Sequence, residues 1–297
     1  YIQDGEKTPM DGQLIYRGIN VSEMAEGFLK EDRFGYEETA YLLLFGSLPT
    51  KEQLEIFKAA MVEYRTLPNR FTEDMILASP SKDVMNKLAR GILSLYSYDE
   101  NPEDITFEKE LIRSIKLVSR CPVIVAHAFA AKRHYFDNES LYLHLPQENL
   151  SMAENFLYLV RPDCKFTKEE ARILDLCLVL HAEHGGGNNS AFACRVLSSS
   201  GTDIYSAISA AIGSLKGPRH GGANRKVMEM FSHIEKDVKN WKDEGELADY
   251  LRLIIKGKRG DGSGLIYGMG HAIYTKSDPR TLLLKSLARK LAEEKGM

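Results

Sequence analysis

This sequence lacks the features that would assign it at once to a membrane, secreted or nucleic-acid-binding class. No apolar run approaches the length of a membrane span, and the N-terminal residues YIQDGEKTPM contain no apolar stretch of the kind found in a signal peptide. The formal net charge is only -3 over 297 residues, so we expect neither nucleic acid nor a membrane as a partner. An initiator methionine is also missing, which indicates that residues before Tyr1 were removed or left out.

The usual motifs of disulfide and metal sites are missing as well. The sequence contains no CxxC pair and no HExxH motif. We interpret the cysteines as reduced and buried in a cytoplasmic protein, with a disulfide as the alternative. His181 and His184, placed on one face of a predicted helix, could in principle bind a metal, but hydrogen-bonded histidines are favoured and we expect no metal. The four cysteines are Cys121, Cys164, Cys177 and Cys194.

Alternating strand patterns are almost absent, whereas apolar residues at helical spacing recur along the chain, so the sequence predicts a mainly α fold. Two segments carry a predicted capping box, in which a threonine is followed three residues later by glutamine or glutamate. These segments begin at Thr50 and Thr167, and Asn20 is a third predicted cap. Gly46 is a predicted helix end.

Two helices after residue 167 have unusual features. The helix in FTKEEARILDLCLVLHAEHGGGN is predicted to continue to a glycine stop at residues 185–187. The next long helix, within TDIYSAISAAIGSLKG, has a face of small side chains that allows close approach of another helix, either in the core or at a subunit interface. Beyond residue 217 the chain is more charged and richer in glycine, so we predict a large helical domain at 1–217 and a small domain at 218–297.

Three histidines stand next to glycines: His184 before GGG, His220 before GG and His271 after GMG. Glycine lets a ligand approach the backbone while the imidazole is held at a chain reversal. His220 precedes a predicted helix and follows Arg219, and both the helix dipole and the arginine favour the neutral imidazole. A neutral imidazole can donate a hydrogen bond to a carbonyl oxygen and stabilise an enol. The alternative is a histidine that caps a turn.

The tail GHAIYTKSDPR adds Arg280, whose guanidinium suits bidentate binding of a carboxylate, with a surface salt bridge as the alternative. The loop GKRGDGSG carries Lys258 and Arg259 among glycines and could bind phosphates. It matches neither a Walker loop nor a dinucleotide fingerprint, so a solvated hinge is the favoured interpretation.

With these motifs in view, the chain resembles the citrate synthase family. The segments HAEHGGGN (181–188), GPRHGGAN (217–224) and GMGHAIYTKSDPR (268–280) are similar to three family signatures, in order and at suitable separations. The stretch IYRGINVSEMAEGFLKEDRFGYEETAYLLLFGSLP is similar to the family's opening helices. The resemblance covers most of the chain.

The resemblance implies a mainly α, citrate synthase-like two-domain homodimer with its site in a cleft that closes on oxaloacetate before acetyl-CoA enters. Helices at 168–184 and 203–215 match those at the family's dimer interface. The implied reaction of the tricarboxylic acid cycle is a Claisen-type condensation. A carboxylate removes a methyl proton, the enol attacks oxaloacetate, and the citryl thioester is hydrolysed. Acetyl-CoA is a cosubstrate, and the family uses no metal and no permanently bound cofactor.

Individual residues take roles from the same resemblance. His220 matches the imidazole that stabilises the enol of acetyl-CoA, and His271 matches the histidine that polarises the ketone of oxaloacetate. Residues that would hold the organic acid are His184, Arg280, Asn188 and Asn224. Residues that would contact CoA are Leu265, Gly268, Gly270 and Lys276.

The chain also departs from the family pattern. Gly185 stands where an acidic residue is common, and Arg219 where an apolar residue is frequent. The family's catalytic aspartate lies downstream of DPR, and no carboxylate after residue 280 matches it. We therefore expect a fragment of a citrate synthase with little activity of its own. A 2-methylcitrate synthase that uses propionyl-CoA and a non-catalytic helical module of the same fold are the alternatives.

Overall fold

The computed structural model describes residues 2–3, 6–7, 9–183, 185–218, 220–270, 274 and 276–296. Within these residues α-helices form nearly all of the regular structure, which confirms the mainly α prediction. The α-helices are α1 (Val21–Lys30), α2 (Tyr36–Phe45), α3 (Lys51–Tyr64), α4 (Val84–Ser94), α5 (Phe107–Asp137), α6 (Met152–Val160), α7 (Lys168–Leu180), α8 (Asn189–Ser198), α9 (Ile204–Lys216), α10 (Ala223–Asp237), α11 (Glu244–Ile255) and α12 (Pro279–Glu294).

The short strands form two antiparallel hairpins, and two further short helices interrupt the first half of the chain. In the second hairpin Ile15 pairs with Asn20, and Tyr16 pairs with Ile19. The strands are β1 (Ile2–Gln3), β2 (Glu6–Lys7), β3 (Ile15–Tyr16) and β4 (Ile19–Asn20), and the short helices are a π-helix (Thr72–Leu77) and a 3-10 helix (Leu95–Tyr98).

The predicted helix starts are confirmed. The Asn20 side chain accepts a hydrogen bond from the Ser22 N–H at the start of α1. Reciprocal capping boxes begin α3 at Thr50 and α7 at Thr167. Gly46 ends α2 with a φ of 84°, a left-handed conformation that favours glycine. These starts and this stop depend on neighbouring residues alone, which is why the sequence predicts them.

The chain forms two compact units: residues 1–213 together with 276–297, and residues 214–275. This division differs from the predicted one at residue 217, because the C-terminal segment belongs with the first unit. Helix α12 packs against α7 and α1, where Leu283, Leu284 and Leu287 contact the apolar core around Leu180. Burial of these leucines decides where the segment lies.

Helix α5 is the centre of the first unit and packs against α3, α4 and α6. A Cβ on Gly91 would lie 3.0 Å from Ile124 Cγ2, so the glycine lets α4 approach α5 closely. With 31 residues, α5 is long and apolar enough to cross a membrane by length and composition, so the expectation that no such run exists is wrong. Half of its most apolar stretch is buried within the fold, and core helices of soluble proteins pass the same test.

The second unit has a small core of its own, formed where α10 and α11 pack together. Met230 and Ile234 of α10 contact Tyr250 and Ile254 of α11. The Tyr250 hydroxyl donates a hydrogen bond of 2.9 Å to Asp237 Oδ2 at the end of α10. This core supports the glycine-rich loop that follows α11.

The four cysteines are free thiols, each partly exposed. Burial raises the pKa of Cys121 to about 12 and also raises the pKa values of Cys177 and Cys194. Thiols with raised pKa values are poor nucleophiles, so Cys121, Cys177 and Cys194 are suited to packing rather than to nucleophilic chemistry.

Asp175 of α7 supplies a cap that the sequence did not reveal. Its carboxylate accepts hydrogen bonds from Gly35 N (2.7 Å) and Tyr36 N (3.1 Å), at the start of α2. Gly35 offers no side chain of its own for this purpose. Burial raises the pKa of Asp175 to about 7, and the two N–H donors oppose that shift only in part.

This raised pKa predicts a specific loss of stability with increasing pH. The folded state keeps the Asp175 proton above the pH at which the unfolded chain, with a pKa near 3.8, has lost it, so stability falls between about pH 4 and pH 7. Asp175→Asn removes this contribution. We expect urea unfolding to show about 2 to 4 kcal/mol less pH dependence over that range in Asp175→Asn than in the wild type. Parallel pH profiles for the two proteins would contradict the assignment.

Candidate active site

A tight turn holds His220 ahead of α10. After α9 ends, Gly217 N donates to Ser214 O (3.1 Å), and His220 N donates to Gly217 O (3.0 Å). Gly221 N then donates to Leu215 O at 2.9 Å. Successive backbone hydrogen bonds therefore fix the path of the chain on both sides of the half-buried His220.

The two glycines after His220 are required by close backbone contacts. A Cβ on Gly221 would lie 2.3 Å from Leu215 O, and one on Gly222 would lie 2.6 Å from Pro218 Cα. Distances this short leave no space for any side chain. Gly222 is also the residue from which α10 starts, so His220 stands at a helix start as the sequence predicted. The neighbouring Arg219 lies outside the described residues.

A second motif, at 181–188, lies in the first unit, and its geometry corrects the sequence prediction. Helix α7 ends at Leu180, a full turn before the predicted glycine stop. His181 follows the helix, and its Nδ1–H donates to Cys177 O at 2.7 Å. The interpretation of His181 and His184 as two residues on one helix face is therefore wrong, because His181 is already outside the helix. His184 itself lies outside the described residues.

The segment after α7 is held by contacts on both sides of residue 184. The Tyr16 hydroxyl donates to Val179 O at 2.9 Å and lies 3.5 Å from Glu183 O. The Glu183 carboxylate accepts a hydrogen bond from Gly185 N at 2.5 Å. Tyr16 is only 1% exposed, so a buried anchor fixes the chain directly before the motif histidine. Nothing in the sequence around Tyr16 signals this contact.

Asn188, a predicted substrate ligand, caps helix α8 in the structure. Its Oδ1 accepts hydrogen bonds from Ser190 N (2.8 Å) and Ala191 N (3.3 Å). Its backbone N–H donates to Gly185 O at 3.2 Å, which closes the glycine turn. Asn188 therefore stabilises the glycine turn and the start of α8 through its own hydrogen bonds.

Arg280 stands at the start of α12 and is held by Asp278. Arg280 Nε donates to Asp278 Oδ1 (3.0 Å), and one terminal nitrogen donates to Oδ2 (2.8 Å). Asp278 also caps α12 by accepting from Arg280 N. This ion pair with the chain's own Asp278 agrees with the salt-bridge alternative, and binding of a ligand carboxylate by Arg280 stays a prediction. Lys276, two residues before the cap, is exposed, and His271 lies outside the described residues.

The predicted CoA-contacting residues of the second unit lie in and after its glycine-rich loop. Gly268 and Gly270 have φ values of 84° and 87°, which favour glycine. Leu265 is 57% exposed beside a small recess between the loop and α10, where Lys226 Nζ lies 5.9 Å from the ring centroid of Tyr267. Asn224 is exposed in the first turn of α10.

Hydrogen bonds also order the loop. The Tyr267 hydroxyl donates to Asp261 Oδ2 (2.7 Å) and lies 3.1 Å from Ser263 Oγ. Hydrogen bonds from Ser263 and Tyr267 lower the pKa of Asp261.

The predicted site residues thus fall into two groups by unit. Asn188, Lys276 and Arg280 lie in the first unit, and the second unit holds His220, Asn224, Leu265, Gly268 and Gly270. Asn188 caps α8, Arg280 lies in the first turn of the capped helix α12, and His220 lies in the hydrogen-bonded turn before α10.

Comparison with known proteins shows the protein family to which these segments belong. The family model described as citrate synthase, C-terminal domain, matches residues 2–297. The chain belongs to the citrate synthase family. Family members are acyltransferases, so the fold and the predicted enzyme class are those of the family.

Two curated relatives and one solved structure illustrate the match. The citrate synthase of Deinococcus radiodurans is 34% identical over 288 residues, which are 96% of this chain and 69% of the relative. The 2-methylcitrate synthase of Shewanella oneidensis is 31% identical over 95% of this chain and 68% of the relative. The citrate synthase of Thermoplasma acidophilum, solved as a ternary complex with carboxymethyl coenzyme A and oxaloacetate, has a TM-score of 0.78 and 26% identity over 97% of this chain and 70% of that one. This chain therefore spans about two thirds of the length of each of these three proteins.

Proposed function

We propose that the residues of this chain take part in the citrate synthase reaction, in which acetyl-CoA and oxaloacetate condense to citrate and CoA. The observation that supports the proposal most is the turn around His220. Two glycines without space for a Cβ, together with the backbone hydrogen bonds of residues 214–222, hold one imidazole at the start of α10. A fixed donor of this kind suits a carbonyl oxygen that gains negative charge during enolisation.

In the proposed mechanism His220 donates a hydrogen bond to the thioester carbonyl of acetyl-CoA while a carboxylate removes a methyl proton. The enol carbon then attacks the ketone of oxaloacetate, whose oxygen receives a hydrogen bond from His271. Water finally cleaves the citryl thioester and releases CoA. His184, Arg280 and Asn224 would hold the carboxylates of the organic acid, and Asn188 would support them as the cap of α8. Leu265, Gly268, Gly270 and Lys276 would contact CoA.

The substrates follow from the family and from the ligands of the Thermoplasma acidophilum complex. Acetyl-CoA is proposed as a cosubstrate with no metal and no permanently bound cofactor. The two compact units are proposed to be the large and small domains of the family. Four free cysteines are consistent with the proposed cytoplasmic location, where thiols stay reduced.

A homodimer is proposed from an uncovered helix. None of the residues of α8 is buried, and Phe192 and Val196, one turn apart on the same face, are 62% and 50% exposed. In helix α9 the small side chains at residues 210, 211 and 214 are half-buried, whereas Ala207 is 2% exposed and is already covered within one copy of the chain. The exposed apolar stripe of α8 suits helix packing against a second copy of the chain.

A 2-methylcitrate synthase is the second candidate. The observation in its favour is the match to the Shewanella oneidensis enzyme, with an identity close to that of the citrate synthases. The residues discussed above would contact parts that acetyl-CoA and propionyl-CoA share, so they favour neither substrate.

Thiol release from acyl-CoA in the presence of oxaloacetate tests the proposal. We expect little turnover from residues 1–297 alone, and substantial turnover from a chain extended through the aspartate that the family resemblance places downstream. A faster reaction with propionyl-CoA than with acetyl-CoA would favour the second candidate. If the extended protein is folded and releases no thiol with either substrate, the enzyme proposal is wrong and the alternative of a non-catalytic helical module is favoured.

A further inference from the structure

Residues 11–16, here called the bridging segment, lie between two distant parts of the first unit and contact both. At one end, Asp11 and Gly12 bind Ser277, which lies shortly before α12. At the other end, Tyr16 binds the last turn of α7. The two contacted parts are far apart in the sequence, so the bridging segment is a physical link between them.

The contact with α7 is formed by a buried hydroxyl. The Tyr16 hydroxyl donates to Val179 O at 2.9 Å and lies 3.5 Å from Glu183 O. Tyr16 is 1% exposed, and its ring belongs to the apolar core that α7 and α1 share. Side chains in a close-packed core keep one position, so the hydroxyl is a fixed point for the end of α7. The chain continues from there directly to His184, a proposed ligand of the organic acid.

Ser277 receives the opposite end of the bridging segment. Gly12 N donates to Ser277 Oγ at 3.2 Å, and the Ser277 hydroxyl donates to Asp11 Oδ1 at 3.1 Å. The hydroxyl is therefore both acceptor and donor, which holds the side chain from two directions. The next residue, Asp278, caps α12 and forms the bidentate pair with Arg280. The bridging segment thus holds the residue directly before this pair.

Apolar packing keeps the bridging segment in place between its two polar contacts. Leu14 packs against the same core as Tyr16, and so do Leu283 and Leu287 of α12. Leu14 O also accepts a hydrogen bond of 2.9 Å from Val21 N, at the start of α1. Burial of these side chains stabilises the segment along its length. Its two polar contacts therefore have fixed positions relative to each other.

Both contacts serve segments that are proposed to hold one molecule. In the proposed function His184 and Arg280 bind the carboxylates of oxaloacetate, and hydrogen bonds to a carboxylate weaken steeply when their distance or angle changes. We infer, on the basis of that proposed function, that the hydroxyls of Tyr16 and Ser277 are positioning groups for oxaloacetate. They act without touching the substrate, because they hold both ligand-bearing segments to one bridging segment.

Steady-state kinetics of Tyr16→Phe and Ser277→Ala, each made in the extended chain, test the inference. Each substitution removes one hydroxyl and leaves the aromatic ring or the backbone in place. We expect the KM for oxaloacetate to rise about threefold to tenfold in each variant, a factor that corresponds to one hydrogen bond. The KM for acetyl-CoA at saturating oxaloacetate should stay within about twofold of the wild type, because most residues proposed to contact CoA belong to the second unit.

Two matched variants separate this effect from a general loss of stability. Tyr205→Phe removes the hydroxyl of another buried tyrosine of the first unit, which donates to Asp99 Oδ2 at 2.8 Å. Ser286→Ala removes a hydroxyl of α12 that donates to Leu283 O at 3.0 Å. Both controls should keep the wild-type KM for oxaloacetate, although Tyr205→Phe should lose as much stability in urea unfolding as Tyr16→Phe does.

The same kinetics distinguish failure of the inference from failure of the proposed function. If the wild-type extended chain releases no thiol, both are wrong. If the wild type turns over and either Tyr16→Phe or Ser277→Ala keeps the wild-type KM for oxaloacetate, only the inference is wrong. An equal rise in Tyr205→Phe, or an equal rise in the KM for acetyl-CoA, would also overturn it, because the change would then reflect a general loss of structure.

Discussion

His220→Ala should lower turnover by about 100-fold to 10,000-fold while the protein stays folded. The imidazole is the only part of the 217–222 turn that the substitution removes, and the backbone hydrogen bonds that shape the turn do not involve it. The loss should appear in kcat, because the proposed hydrogen bond strengthens as the thioester oxygen gains charge. Thiol release and thermal unfolding, measured on the active extended chain, check the two parts of the prediction.

His134→Ala is the matched control for this experiment. His134 is an exposed histidine near the end of α5, and its Nδ1–H donates to Glu139 O at 2.8 Å. The control variant should keep wild-type kcat. If His220→Ala also keeps near-normal turnover, His220 has no part in the chemistry, and the assignment of the turn as a catalytic element fails.

Gly221→Ala should lower turnover nearly as much as His220→Ala does, because it displaces the His220 imidazole without removing it. The new methyl group would lie 2.3 Å from Leu215 O and 2.9 Å from Leu215 Cδ1, and the first of these atoms belongs to the backbone. The turn must therefore shift and carry His220 with it. We expect kcat to fall by about 100-fold, since a displacement near 1 Å of a catalytic group is sufficient. Overpacking should also reduce the free energy of unfolding by about 1 to 3 kcal/mol.

Gly27→Ala separates this geometric effect from the general effect of replacing a glycine. A Cβ at Gly27, inside α1, would meet no atom within 4 Å, and alanine is a better helix former than glycine. That variant should keep its activity and its stability, or become slightly more stable. Normal kinetics in Gly221→Ala would mean that the turn does not determine where His220 lies.

Local chemistry explains which parts of this fold the sequence could predict. The capping boxes at Thr50 and Thr167 and the glycine end of α2 each involve residues within one turn of one another. The glycines of the GPRHGGAN motif are similar, because the clash that excludes a Cβ at Gly221 comes from a carbonyl only six residues earlier. A pattern confined to a short stretch of chain is visible without knowledge of the fold.

Contacts between distant segments explain where the predictions failed. Helix α7 ends before its glycines, at a point where side chains bind its last carbonyls: the His181 ring adds a hydrogen bond to Cys177 O, and the Tyr16 hydroxyl donates to Val179 O. Asp175 caps α2 from a position 140 residues away from Gly35. In the same way, Arg113 of α5 forms an ion pair with Asp99 at 2.7 Å, and the sequence does not show this pairing.

The sequence by itself determined the mainly α fold, the starts of α1, α3, α7 and α10, and the family, because helical periodicity, caps and long motifs depend on residues close together in the chain. The tertiary structure decided the end of α7, the place of residues 276–297 in the first unit and the pairing of Arg113 with Asp99. The physical reason is the same in each case. Burial and hydrogen bonding select partners by position in space, and residues such as Leu283, Asp175 and Arg113 show their chemistry in the sequence without showing what they will contact.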